Sequence, residues 1–276
     1  MSPNSTSALF ETVLAGGFDP SPEAWTVTGS SSIYQTTQFP ASPTQYHNRY
    51  LLMRVEASFG ACSHAPEELP YEDAARYSGM PLVQALRDDR LPVRIAALDA
   101  YLGAAFPHAA HCSEAVDIPS GTPAQKAMRR DALIAELADV RPGQKVALIG
   151  VVHPLIAAIR ERGGICLPCD LQLEASQWGD PVEKDMNVVL EQADSVICTG
   201  MTLGNGSFDP ILARASSKGI PLTVYAQTGS AIAARFVGRG VTGLVAEPFP
   251  FTQFSAGVTT VYTYRSGSEA PSCCRD

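Results

Sequence analysis

The stretch "KVALIGVVHPLIAAIRERGGICLPCD", Lys145 to Asp170, decides the fold. Its two ends are short apolar runs without polar alternation, the pattern of strands covered on both faces. Between them "HPLIAAIRERGG" places apolar residues at helical spacing, with a proline at the first turn and glycines as a stop. Strand, helix and strand in that order form a parallel βαβ unit.

The pattern continues to the right. "PVEKDMNVVLEQA" reads as a helix, "SVICTGMTL" as a strand, "DPILARASSKG" as a helix and "PLTVYAQTG" as a strand. "SAIAARFVGRG" follows as a helix and "VTGLVAEPF" as a short last strand. Short apolar runs alternating with amphipathic helices predict a Rossmann-like, doubly wound parallel sheet. To the left, the texture changes near residue 120. "AWTVTGSSSIYQTTQF" and "RYLLMRVEASFGACS" are strand-like, and "MPLVQALRDDRLPVRIAALDAYLGAAF" becomes helical after Pro92. A Pro/Gly/Ser-punctuated segment then leads into a helix from about Pro123 to Val140. The expected organisation is α/β: a smaller α+β domain over 1–122 and the Rossmann-like domain over 123–276.

Bulk properties narrow the function classes. The 276 residues are 45% hydrophobic and carry a formal charge of −8, with a mean hydropathy of +0.02 and a pI near 5.1. No basic run offers a phosphate-backbone footprint, so nucleic acid is not an expected partner. No segment reaches the length of a membrane span, and "MSPNSTSALFETVLAGGFDP" has neither the basic nor the apolar region of a signal peptide, so a cytoplasmic location is expected and a membrane partner is not. The seven cysteines, an odd number at irregular spacing, read as reduced thiols. Cys273 and Cys274 fall in a polar tail.

Doubly wound sheets bind ligands at the carboxyl ends of their strands, where strand order reverses, and the deepest pocket is expected there, facing the first domain. The polar residues at those ends are Gly150 and His153, Asp170, the run Thr199, Gly200, Thr202, Asn205, Gly206 and Ser207, and the loop Gln227, Thr228, Gly229 and Ser230. Glycines and hydroxyls ahead of a helix can hold an anion on backbone N–H groups. The competing reading makes Asn205-Gly206 a tight turn and Ser207 or Asp209 an N-cap. His153 is the acid/base candidate because imidazole titrates near neutrality, against a plain packing role at the start of its helix. Asp170 stands where such sheets place a ribose-binding acid. One glycine follows the first strand where the dinucleotide fingerprint needs three, which excludes NAD or FAD in the usual pose. There is no Gly-x-Ser-x-Gly elbow, Walker loop or His-Glu-x-x-His.

Metal-ligating types occur as Cys62 with His64, as His108, His111 and Cys112, and as Cys166 with Cys169. None forms the paired short motifs of a zinc site, so core or loop roles are expected and no metal ligand is assigned. Whether Cys62, His64, His108 or His111 reaches the cleft is left to the tertiary structure.

The segments "VALIGVVHP", "GDPVEKD", "QADSVICTGMTLGNGSFDPIL" and "VYAQTGSAIAARFVGRGVTGL" resemble the heavy-metal chelation family, a domain of unknown function with a Rossmann-like C-terminal half. In that family an N-terminal domain like that of enolase comes first, and "SFGACSHAPEEL" with "YSGMPLVQALRDDRLPVRIAALDAYLGA" is similar to it. This chain departs where the family has a Gly-Pro-Ser loop after the fourth strand and this one has Ala226 to Ser230. Three functions stay open. The first is handling of a small anionic, amino-acid-derived ligand, a metal chelator or its precursor, in a cleft between the domains, as a biosynthetic enzyme or otherwise. The second is an S-adenosylmethionine-dependent transferase or cyclase. The third is a non-catalytic binder of a divalent transition metal or its complex. The expected partner is a small molecule, with a homodimer left open.

Overall fold

The computed structural model describes residues 3–38 and 45–267; Cys273 and Cys274 lie outside them. In chain order it contains α1 (Thr6–Leu14), β1 (Gly29–Gln38), β2 (Gln45–Val55), β3 (Ser58–Ser63), α2 (Leu82–Leu86), α3 (Leu91–Ala105), α4 (His108–His111), β4 (Glu114–Ile118) and α5 (Pro123–Leu137). There follow β5 (Lys145–Ile149), α6 (His153–Glu161), β6 (Ile165–Cys169), α7 (Met186–Gln192), β7 (Ser195–Thr199), α8 (Met201–Gly204), α9 (Phe208–Lys218), β8 (Leu222–Ala226), α10 (Ser230–Ala234), β9 (Gly243–Ala246) and β10 (Thr259–Arg265).

The first three strands form an antiparallel sheet in the order β1-β2-β3. The other seven form a second sheet, β4-β10-β9-β8-β7-β5-β6, parallel from β6 to β9. Helices flank this larger sheet, giving the mixed α/β architecture expected from Lys145 onward. Its other edge is antiparallel: β10 turns back along β9 and pairs with β4. Thus β4 lies on the N-terminal side of the expected boundary at 122/123 yet belongs to the larger sheet. "EAVDI", the edge strand, escapes the sequence pattern because only Ile118 in it is buried, and "TTVYTYR", between β4 and β9, escapes it because it lacks the continuous apolar run of the parallel strands. Among the described residues no helix is long and apolar enough to cross a membrane.

Helix α3 joins the two halves. From Pro92 to Leu102 every residue except Arg94 is buried, so the helix is apolar almost all round and needs cover on all sides. It lies against β3 closely enough that a Cβ on Gly60 would sit 2.0 Å from the Ala100 nitrogen, so only glycine fits there. On its other side it meets α8 and α10 of the larger domain. One hydrophobic cluster therefore runs from Leu51 and Met53 through α3 to Ile149, Cys198 and Val224. A second, including Ile134, Leu155, Ile156 and Ile159, covers the opposite face of the large sheet.

The single acid on α3's buried surface ties the halves together. Asp99, 2% exposed, accepts the Ala61 N–H of β3 at 2.9 Å and the Ala231 N–H of α10 at 2.8 Å. Burial pushes its carboxyl up to about 7, with the backbone donors pulling the other way. Asp99→Asn turns an amide N–H toward one of those donors and should lower the unfolding free energy by about 1–3 kcal/mol. Because the folded carboxyl binds its proton more tightly than the unfolded one, the aspartate's contribution is present at acid pH and is lost as pH rises through about 7. Denaturant unfolding of both proteins between about pH 5 and pH 8 should show the wild type's advantage shrinking as pH rises.

Candidate functional site at the carboxyl ends of the parallel strands

The chain passes from β5 outward to β6, then crosses back to β7 on the other side of β5 and continues outward through β8 and β9. The reversal point lies between β5 and β7, at Gly150 and Thr199. Gly150 has φ +85°, and a Cβ there would fall 2.4 Å from Thr199 Cγ2. Tyr225, near the end of β8, donates its hydroxyl to the Gly150 carbonyl at 2.7 Å. The crevice mouth is thus floored by Gly150, Thr199 and Tyr225.

His153 opens α6 beside this point and is 2% exposed. Its Nε2 accepts the Gln177 backbone N–H at 3.2 Å, which leaves the ring proton on Nδ1 to be donated to the Tyr46 hydroxyl at 3.0 Å. Trp178 packs its edge against the same ring, with centroids 6.0 Å apart. Burial lowers the imidazole pKa, so the neutral ring is the stable form. Tyr46 comes from β2, so the first domain closes over the switch point with a phenol.

A buried charged cluster stands next to these groups. Asp131, on α5, is 0% exposed. Its Oδ1 accepts Arg130 Nε at 2.8 Å, while its Oδ2 has no hydrogen-bond partner. Arg130 reaches Glu247, after β9, at 3.4 Å, and Glu247 in turn accepts from the backbone and hydroxyl of Thr252. Burial raises the Asp131 pKa, with Arg130 opposing. Burial first, then the Asp131 charge among others, raises the phenols of Tyr46 and Tyr225, which places this carboxyl within electrostatic reach of both. Lys126, also buried, donates to the carbonyls of Ser255 at 2.9 Å and Gly257 at 2.6 Å and so pins the loop after β9.

The sequence candidates therefore separate. Gly150, His153, Asp170 and Thr199 gather at the switch point. Asp170, however, spends both oxygens on backbone N–H groups: Val151 at 3.0 Å, Gln172 at 2.9 Å and Leu173 at 3.1 Å. It organises two loops instead of presenting a free edge to a ribose. Gly200 is buried against the loop after β8, and Thr202 donates to the Thr199 carbonyl at 2.7 Å, tying α8 to β7. Asn205 Oδ1 accepts the Ser207 N–H at 3.0 Å and its hydroxyl at 2.6 Å, so Asn205, Gly206 and Ser207 build a turn. Asp209 behind them accepts the Thr6 N–H of α1 at 2.9 Å. In the last loop Gln227 pairs with Gln253 at 2.7 Å. Thr228, Gly229 and Ser230 run beneath the first domain: the Gly229 N–H donates to the Ala61 carbonyl at 3.0 Å, and Ser230 lies 3.1 Å from His108 Nε2.

His108 is buried with Nδ1 2.7 Å from the Tyr264 hydroxyl, and burial pushes its pKa down to about 4. Among the described residues no group of three or more His, Cys, Asp and Glu side chains is arranged to hold a metal ion. Tyr46, Arg130, Asp131, Tyr225 and Glu247 are site residues the sequence reading does not single out. One signal was available: Asp131 lies within the buried stripe of α5, with Ala127 one turn before it and Ile134 and Ala135 one turn after. An acid inside an apolar stripe asks for a partner.

A cavity of about 240 Å³ opens elsewhere, between Phe106 and His111 of the first domain and Arg235, Arg239, Tyr264 and Arg265 of the second. Arg265 pairs with Gly243, the first residue of β9, so this cavity lies at the amino end of that strand. This cavity is separate from the switch point at the carboxyl ends of the parallel strands.

The sheet order defines a mixed α/β protein with a seven-stranded, mostly parallel sheet flanked by helices and a smaller antiparallel sheet. Residues 133–244 match the model of the DUF364 family, described as "Putative heavy-metal chelation", and the family resemblance read from the sequence is borne out. A protein of unknown function from the DUF364 family of Desulfitobacterium hafniense DCB-2 is similar in structure, with a TM-score of 0.58 and 16% identity over 93% of this chain and 96% of that one. One from Pyrococcus horikoshii gives 0.55 and 14% over 93% and 98%. At such identities the likeness is one of fold. No curated protein matches the chain.

Two substitutions probe the switch point and the turn. Gly150→Ala puts a Cβ into Thr199 at a positive φ and should cost on the order of 3 kcal/mol in thermal or urea unfolding. Asn205→Ala removes the acceptor that closes its turn and should cost about 1 kcal/mol, read as a lowered melting temperature.

Proposed function

We propose that this protein handles a small amino-acid-derived molecule in the cleft between its domains, at the carboxyl ends of β5, β7 and β8. The observation that carries this reading is the unpartnered Oδ2 of Asp131. A buried carboxylate oxygen without a donor is costly and is retained where a ligand or a reaction supplies one. An amine on the ligand is the matching group, because an ammonium pairs with a carboxylate more strongly than a neutral donor does. The arginine of the cluster is already shared between Asp131 and Glu247 and so is not free for a purely anionic ligand.

The surrounding groups suit positioning and proton transfer. Tyr46 receives the His153 proton, and Tyr225 orients the loop at Gly150. Asp131, with its raised pKa, is the group that exchanges a proton with a bound amine; His153 holds Tyr46 in place and does not itself carry a proton to the ligand.

An organic ligand is favoured over a bare heavy-metal ion because, among the described residues, no group of three or more His, Cys, Asp and Glu side chains is arranged to hold one. Heavy-metal chelation, the description attached to the family, is then served through an organic chelator or its precursor.

Native mass spectrometry of freshly purified protein, with elemental analysis of the same sample, tests this. An amine-bearing organic molecule should be retained by the wild type and lost from Asp131→Asn. Retention should also weaken as pH falls, since the ammonium pairs with the ionised carboxyl and the raised pKa brings its protonation closer to neutrality. Stoichiometric metal surviving dialysis without an organic molecule would overturn the reading.

A further inference from the structure

The cavity at the amino end of β9 is unused by the reading above, and its chemistry is the opposite of the switch point's. In a chain with formal charge −8, it brings Arg235, Arg239, Arg265 and His111 together and has no Asp or Glu in its lining. Four separate segments supply them: the ends of α4, α10 and β10, and the turn between α10 and β9. Chance solvation of scattered surface arginines does not require such convergence.

Arg235 is built in rather than merely present. Its guanidinium carbon sits 4.4 Å from the Phe106 ring centroid and 5.6 Å from that of Phe18, so aromatic faces hold the planar group. Stacking uses the faces of a guanidinium and leaves its edge donors for a planar or tetrahedral anion. Its Nε is buried with no hydrogen-bond partner. Among the described residues neither Arg235 nor Arg239 has an ion-pair partner, and burial together with the Arg239 charge lowers the Arg235 pKa. Outside the lining, Asp139 is held below the usual carboxylate range by Arg141 first and by Arg265 more weakly.

We propose that this cavity is an anion site for a phosphate group, taken either as the free ion or as part of a small phosphomonoester, bound between the domains by Arg235 and Arg239 with Arg265 and His111 at its rim. Two like charges held near one another beside a partly enclosed space are stabilised by a dianion that accepts from both. The volume, about 240 Å³, is several times the roughly 30 Å³ share of one water and admits such a group.

Titration calorimetry with inorganic phosphate and, separately, glycerol 3-phosphate at fixed ionic strength tests the site. Saturable binding of phosphate identifies the free ion, and tighter binding of the monoester identifies a phosphorylated small molecule; either supports the site. Arg239→Gln, at an exposed position, should weaken that binding roughly tenfold, the scale of one charge-assisted hydrogen bond. Arg235→Lys should weaken it too, because an ammonium cannot reproduce the stacked fork. A thermal melt without phosphate controls for folding. Binding no stronger than that of chloride, or an affinity that Arg239→Gln leaves unchanged, would overturn the proposal. Asp131→Asn should leave phosphate affinity unchanged, so failure here and failure at the switch point are distinguishable.

Discussion

Helix α3 has no solvent face to spare, and both sheets are arranged around that fact. A helix apolar on nearly every side must be enclosed, and here β3 encloses one side while α8 and α10 enclose the other. The close approach at Gly60 makes the first contact tight, and Asp99 supplies acceptors to backbone N–H groups on both sides of the seam. Because one hydrophobic cluster crosses the seam, the two halves share a core. The seam also claims residues that a strand-end pattern would assign to a ligand: Gly229 and Ser230 are used to seat the loop after β8 under Ala61 and beside His108.

Fixing that seam sets what stands over the strand ends. With β3 held against α3, the neighbouring β2 carries Tyr46 to His153, and the switch point acquires a lid from the other domain. Below the lid, Arg130, Asp131 and Glu247 are removed from water together. Burying three charges is expensive, and one arginine between two carboxylates leaves the balance on the acidic side. At the opposite end of the sheet the balance reverses, with arginines gathered beside aromatic rings. The same seam thus has an acid-rich end and a basic end.

Local pattern carried much of the architecture. The five parallel strands from β5 to β9 and their helices are legible because burial on both faces leaves no polar alternation, and helix periodicity is a property of neighbours in the chain. The Thr122 capping box and Pro123 at the start of α5 are equally local. The antiparallel edge is not legible in this way, since β4 and β10 find each other across the whole second domain. At the site, Gly150, His153, Asp170 and Thr199 could be expected together because every parallel strand ends on the same side.

Sequence by itself determined the alternation of strands and helices, the parallel sheet and the end of it where polar loops collect. Tertiary structure alone decided which polar groups face one another. Tyr46 and His153 are 107 positions apart, and nothing in either segment announces the hydrogen bond between them. Asn205 and Ser207 satisfy each other within two residues, so their polarity is absorbed by a turn, whereas Asp131 is left with an open oxygen only because its partners come from other elements. Periodicity reports whether a residue is covered; hydrogen-bond satisfaction depends on what covers it, and that is fixed only when distant segments pack.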